Sequence, residues 1–373
     1  MSKRILITST DLMMIQFLVP HVICLSRNGF EVEIACSEVG GRMAEIREKT
    51  AGYVKAVHEV RLVRSPASLK NFQGYGDMKK VIRNGGYDVI WTNEPVMGVV
   101  TRLAARQARK HGTKVVYMVH GFHFFKGASK LNWMLYYPTE RIMAHDCDMI
   151  VTINREDYRR ARTMKVKQVK YIHGIGVDTE RLKPREEWCD IRQELGIPKD
   201  AFLVLSVGEL NKNKNHQVII RALGILKDPD IHYVICGKGE LLDSLKELAR
   251  KQGVDRQVHF LGYRTDVVDI YGQADLFAFP SYREGLGLAS LEAMYCGLAL
   301  LASDMRGARD YVKNGVSGFL CDPDDVKGFA GAIRQMKRDS ALRIKCGKRN
   351  KKQVAPYCLD HVKHEVLNLF KEL

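Results

Sequence analysis

Short apolar runs alternate with longer amphipathic stretches along almost the whole chain, and this alternation restricts the fold more than any other feature. In the first half, strands are expected at 4–9, 31–36, 88–91, 114–119, 149–153 and 169–172. Helical patterns lie between them, as at 95–110 and 155–164. Strands regularly separated by helices predict a mostly parallel sheet covered on both faces. Between 173 and 200 the pattern breaks into Gly174, Gly176, Pro184 and Pro198 among charged residues, which reads as a linker. The alternation then restarts, with strands expected at 202–207, 232–236, 258–260, 276–279 and 299–302, and helices at 217–227, 241–252, 267–272, 288–296 and 326–337. The expectation is α/β: two doubly wound domains facing a crevice. The boundaries are 1–175, a linker at 176–200, 201–355, and a helix at 356–373 that packs back on the first domain. A chain of 373 residues fits two domains of about 100–200 residues each. Ligand sites are expected at the carboxyl ends of the strands.

Charge separates the two halves. Residues 1–170 carry 28 Lys and Arg against 15 Asp and Glu, whereas residues 171–373 carry 31 against 28. The first half is therefore expected to be drawn to an anionic surface such as a membrane, a nucleic acid or a phosphorylated substrate. No apolar run approaches the ~20 residues that span a bilayer. The start, Met1-Ser2-Lys3-Arg4 before Ile5-Leu6-Ile7, reads as a first strand and not a signal peptide. Nine cysteines are scattered without a C-x-x-C pair, and several sit in apolar strands, which suits reduced thiols in a cytosolic compartment. His361 and His364 form an H-x-x-H, which on its own supplies too few ligands for a metal.

One constellation carries chemistry. The strand at 276–279 ends at Pro280 and is followed by Ser281-Tyr282-Arg283-Glu284-Gly285-Leu286-Gly287-Leu288, after which a helix begins. A strand, a glycine-containing turn and a helix N-terminus form an anion site, because backbone N–H groups and the helix dipole both face the ligand. Glu284 precedes the helix and Glu292 lies within it, among Ala289, Leu291, Ala293 and Met294. A carboxylate on so apolar a helix needs a partner. Hydroxyl groups of a sugar or ribose are suitable donors. The competing reading places Glu292 on a solvent face.

Residues Ser281–Met294 resemble the E-x7-E signature of retaining glycosyltransferases of the GT-B fold, family 4. The resemblance covers the chain: Val207-Gly208 with Lys214, Cys236-Gly237-Lys238-Gly239-Glu240, Phe260-Leu261-Gly262-Tyr263 and Gly176-Val177-Asp178 are similar to further family motifs. It implies two Rossmann-like domains, the first binding the acceptor and the second a nucleotide-sugar, with no metal and no cofactor. It also implies roles. Glu284 would contact the donor sugar hydroxyls, and Gly285, Leu286, Gly287 and Leu288 would present amides to the sugar and diphosphate. Glu292 would hold the ribose diol, and Lys214 would neutralise the diphosphate. Gly208 and Gly237 would line the donor site, and main-chain atoms near Tyr263 and Arg264 would read the base. The family usually places Arg after the glycine matched by Gly208. Here Glu209 stands there, and Lys212 in the same turn is the expected substitute.

In the first half, His120 follows the strand at 114–119 beside Gly121, at its carboxyl end. The resemblance puts this histidine near the reacting centre. Six of the 31 aromatic residues fall between 122 and 137, interleaved with Lys126 and Lys130. This suits a membrane interface, or equally a core helix under the sheet. The loop Thr10-Asp11-Leu12 departs from the Gly-Gly of many relatives. The resemblance further implies a UDP-hexose or UDP-N-acetylhexosamine donor and a lipid-diphosphate-linked acceptor. It implies polysaccharide synthesis at the cytoplasmic face of the membrane. The alternatives are a nucleotide-sugar epimerase of the same fold and a basic nucleic-acid binder. No nucleic-acid motif supports the second.

Overall fold

The computed structural model describes residues 2–186 and 188–373. Two compact units divide the chain: residues up to Gly176 together with Asp360–Leu373, and Val177–Leu359.

The first unit is built on seven strands: β1 (Arg4–Ser9), β2 (Glu31–Cys36), β3 (Val54–Glu59), β4 (Val89–Asn93), β5 (Lys114–Val119), β6 (Met149–Thr152) and β7 (Gln168–Tyr171). They pair in the order β3-β2-β1-β4-β5-β6-β7, all parallel. Ile5, Leu6 and Ile7 are fully buried, because helices cover both faces of a parallel sheet. The order reverses between β1 and β4, so the carboxyl ends of those strands flank a cleft.

The second unit has six: β8 (Phe202–Val207), β9 (Ile231–Cys236), β10 (Val258–Gly262), β11 (Leu276–Phe279), β12 (Ala299–Ser303) and β13 (Gly318–Cys321). Their order is β10-β9-β8-β11-β12-β13, again all parallel, with the reversal between β8 and β11. In its core, Ile219, Leu223, Tyr233, Leu301 and Phe329 pack between the sheet and its helices.

Strands β3 and β13 go beyond the sequence reading. Both are edges: Lys55, His58 and Glu59 interrupt the apolar pattern of β3, and β13 is only four residues long and begins at Gly318. The segment read as a linker folds with the second unit. The Cys189 N–H donates to Asp269 Oδ2 at 3.2 Å, the Ile191 N–H to Gln273 Oε1 at 3.0 Å, and Arg192 reaches Ala201 O at 2.8 Å. Glycine, proline and charge there mark turns fastened by polar contacts.

The chain crosses between units twice. After the second unit is complete, the helix Leu359–Lys371 supplies Phe370 to the first, its ring 5.2 Å from that of Trp91 on β4. The helix Lys130–Met143 is pinned by a buried ion pair, Arg102 Nη2 to Glu140 Oε2 at 2.9 Å, with the Tyr117 hydroxyl also donating to Glu140. Among the described residues no helix is long and apolar enough to cross a membrane.

Candidate functional site

The second unit's site lies at the β8/β11 reversal. Beyond β8, Asn211 accepts the Lys214 N–H at 3.0 Å and closes a short turn over Lys212–Lys214. Beyond β11, the segment 280–287 leads to the helix Leu288–Tyr295. The two loops are joined: the Tyr282 N–H donates to Asn213 O at 2.8 Å, and Asn213 Nδ2 to Arg283 O at 2.9 Å. Lys214 Nζ meets Glu284 Oε1 at 2.7 Å, with both side chains about one-fifth exposed. The ammonium also sits over the Phe279 ring, 5.4 Å from its centroid.

Gly287 caps the helix with φ +94°, a left-handed conformation, and a β-carbon there would strike the Phe279 ring at 2.6 Å. Among the described residues no side chain caps this helix, so its first-turn N–H groups are oriented for an anion. Tyr311 donates to Leu286 O at 2.7 Å and holds the turn from beneath.

Glu292 is partly buried and does not stand on an open solvent face. The phenol of Tyr271, itself buried, donates to Glu292 Oε2 at 3.0 Å. Burial raises the Glu292 carboxyl above its ordinary range, against the opposing pull of that hydrogen bond.

A cavity of about 770 Å³ opens at the carboxyl ends of β8, β9 and β10, lined in part by Gly208, Glu209, Gly237, Lys238, Tyr263 and Arg264. Its floor depends on close backbone approach. A β-carbon on Gly237 would lie 1.8 Å from the Gly208 carbonyl oxygen. Arg264 is committed to protein partners: its guanidinium meets Asp266 at 2.6 Å and Glu194 at 2.9 Å. These pairings raise its pKa further and leave main-chain groups and the exposed Tyr263 ring for a ligand. Glu209 is exposed and accepts from Asn211 Nδ2 at 2.8 Å.

Lys214 and Glu284 are thus in contact, while Gly208, Gly237, Tyr263 and Arg264 share one cavity. Lys212 does not join them. It lines a separate depression with His216, Arg221 and Tyr282, because the turn over 212–214 sends alternate lysines to different sides. Arg306, in the loop after β12, was not singled out in the sequence. It is buried, and its Nε donates to Glu284 O at 3.0 Å. Gly307 beside it lies against the backbone of Gly285 and Leu286.

His120 belongs to the first unit. Its Nε2 is 2.9 Å from Asn93 Oδ1 at the end of β4. Burial pushes the imidazole down to about 4, so the ring is neutral near pH 7. With Nε2 donating to Asn93, Nδ1 is an acceptor. At the other reversal, Glu94 (φ +65°) accepts from the Ser9 hydroxyl and the amides of Thr10 and Asp11. That carboxylate organises the loop that lacks the Gly-Gly.

Residues 189–353 match the family described as glycosyl transferases group 1, and residues 22–181 match glycosyltransferase family 4. The chain is 36% identical to the putative glycosyltransferase EpsD of Bacillus subtilis, over 99% of this chain and 97% of that one. It is 28% identical to the UDP-Gal:alpha-D-GlcNAc-diphosphoundecaprenol alpha-1,3-galactosyltransferase of Escherichia coli, over 86% and 83%. Anabaena HepE, solved in complex with UDP, superposes with a TM-score of 0.81 over the full length of both chains at 20% identity. With two parallel sheets and both halves matched, the chain belongs to the GT-B glycosyltransferases of the group 1 and family 4 type.

Proposed function

We propose that this glycosyltransferase moves a hexose or N-acetylhexosamine from a UDP-sugar to a sugar carried on a lipid diphosphate, with retention at the anomeric carbon, in cell-surface polysaccharide synthesis. The observation that carries the reading is the Lys214–Glu284 contact at the β8/β11 reversal, where the Lys214 stem lies against Gly208 at the edge of the cavity. Glu284 takes the sugar hydroxyls and holds Lys214 in place. Lys214 then meets the diphosphate as negative charge grows on it. The amides from Gly285 to Leu288 complete the anion grip. Glu292, steadied by Tyr271, takes the ribose diol, and main-chain groups beside Tyr263 and Arg264 take the base. His120 is assigned to the donor sugar near the reacting carbon.

In the step proposed, the bond from the anomeric carbon to the diphosphate breaks and the acceptor oxygen bonds to the same face of that carbon. The acceptor proton passes to the departing phosphate oxygen, giving UDP and the extended acceptor. No metal or cofactor is assigned to this step, since Lys214 and the helix N-terminus supply the positive potential. The protein contributes positioning and charge stabilisation. A screen of UDP-sugars for protection against thermal unfolding tests the donor class. Protection by a UDP-hexose or UDP-N-acetylhexosamine is expected in the wild type and not in Lys214→Ala. Isomerisation of the donor without acceptor would indicate the epimerase instead.

The relative from Escherichia coli, whose name specifies a diphosphoundecaprenol acceptor, favours a lipid-linked acceptor here. So does the helix Lys130–Met143. Its aromatic side turns inward, with Trp133 and Tyr137 packed on the buried Phe124. Leu131, Met134, Leu135 and Ile142 stay exposed. An aliphatic strip on the basic half suits the anionic inner face of a cytoplasmic membrane. Anionic vesicles should bind the wild type at low salt, and binding should fall when Leu131 and Met134 are both changed to Ser. Equal binding by both proteins would reject that surface.

A further inference from the structure

His173, His361 and Glu365 come together in the first unit although 188 positions separate the first two. His173 follows the edge strand β7, and its N–H donates to Glu365 Oε2 at 2.9 Å. Its Nδ1 lies 2.8 Å from Glu365 Oε1. His361 stands one helical turn before Glu365, a spacing that puts both on one face of the terminal helix. Its Nε2 lies 3.6 Å from the same Oε1. The two imidazole rings are 5.9 Å apart and nearly perpendicular. One donor atom from each residue falls within 4.8 Å of the other two.

We propose that His173, His361 and Glu365 form a site for a zinc-class divalent cation that fastens the terminal helix to the edge of the first sheet. Two imidazole nitrogens and one carboxylate oxygen are a donor set for borderline ions, zinc foremost, and leave a fourth position for water. Calcium and magnesium, which take oxygen ligands, fit poorly. The carboxylate is already fixed at the site, where the His173 backbone N–H donates to one of its oxygens and the His173 ring nitrogen meets the other. The ion would replace the direct His173–Glu365 hydrogen bond, small shifts of these partly exposed side chains bringing the donors to about 2.0–2.2 Å. This role is structural and separate from sugar transfer. His364, the other half of the H-x-x-H, is exposed and lies outside the cluster, so it serves as an internal control.

The test uses the full chain, stripped with chelator, dialysed, and given one equivalent of zinc chloride at micromolar protein. Retained zinc is measured by elemental analysis after gel filtration, and the thermal midpoint is recorded with and without the metal. We expect one zinc per chain and a rise in midpoint of about 2–4 °C or more. His361→Gln and Glu365→Gln should lose both, while His364→Gln keeps both. Circular dichroism confirms that each variant is folded, and the visible absorption of a cobalt(II) sample reports the ligand set independently. No retained zinc in the wild type would overturn the site and leave an ordinary ion-pair cluster. Equal retention by His361→Gln, or equal loss in His364→Gln, would overturn it too.

Discussion

Lys214 and Lys212 are two residues apart and differ in what they touch. Lys214 reaches Glu284 at 2.7 Å, whereas Lys212 lines the depression with Arg221 and Tyr282. Initial rates with a UDP-sugar donor should therefore separate them. Lys214→Ala is expected to lower kcat by about 100-fold or more, the scale for losing one charge-stabilising donor, and Lys212→Ala to stay near wild type. Glu292→Gln should act differently. It leaves the reacting end untouched and weakens a hydrogen bond to the ribose, so KM for the donor should rise about ten-fold with little change in kcat. An unchanged KM would remove Glu292 from the donor site. Much of this site was legible in the sequence, because Glu284, the glycines and the helix are consecutive and the motif reports local backbone geometry. Arg306 was not legible. It meets Glu284 across 22 positions, from a loop whose only local mark is a glycine. The side taken by Lys212 depends on the hand of a turn, which composition does not encode.

Among the elements, the ends of β8 and β9 are in such close contact that one atom has large effects. Gly237 allows the Gly208 carbonyl to sit where a side chain would begin. Gly237→Ala should cost about 1–3 kcal/mol of stability in denaturant unfolding, as overpacking does, and should weaken UDP-sugar binding more than it weakens the fold. Preserved donor affinity would show that the cavity floor is not part of the donor site. The central strands were readable because burial on both faces writes continuous apolar runs. Two edge strands were not: Lys55, His58 and Glu59 break the apolar run of β3, and β13 has only four residues and opens on a glycine. The aromatic stretch after His120 was ambiguous for a related reason. Its periodicity gives a helix, but the buried side follows from Glu140, Arg102 and Tyr117, which belong to three separate elements.

Across the whole molecule, buried histidines tie stability to pH. His21 and His216 are almost fully buried, one bonded to Ile175 O and the other to the Tyr233 hydroxyl. Burial pushes each down to about 4 from an ordinary 6.5. Between those values the unfolded chain takes up protons that the folded chain refuses, so stability falls as pH drops from about 6.5 toward 4. Denaturation midpoints across that range should decline, and His216→Gln should make the decline shallower. A slope unchanged by the substitution would assign the effect to other groups. The terminal helix has a consequence for synthesis. Residues 360–373 leave the ribosome only after every residue of the second unit, yet they belong to the first. The half of the chain made earliest must therefore wait, with the face of Trp91 that Phe370 will cover still bare, while the half made later can close as soon as it emerges. The order of translation and the order of completion are reversed, and during that interval the nascent first unit is the part most in need of chaperone cover.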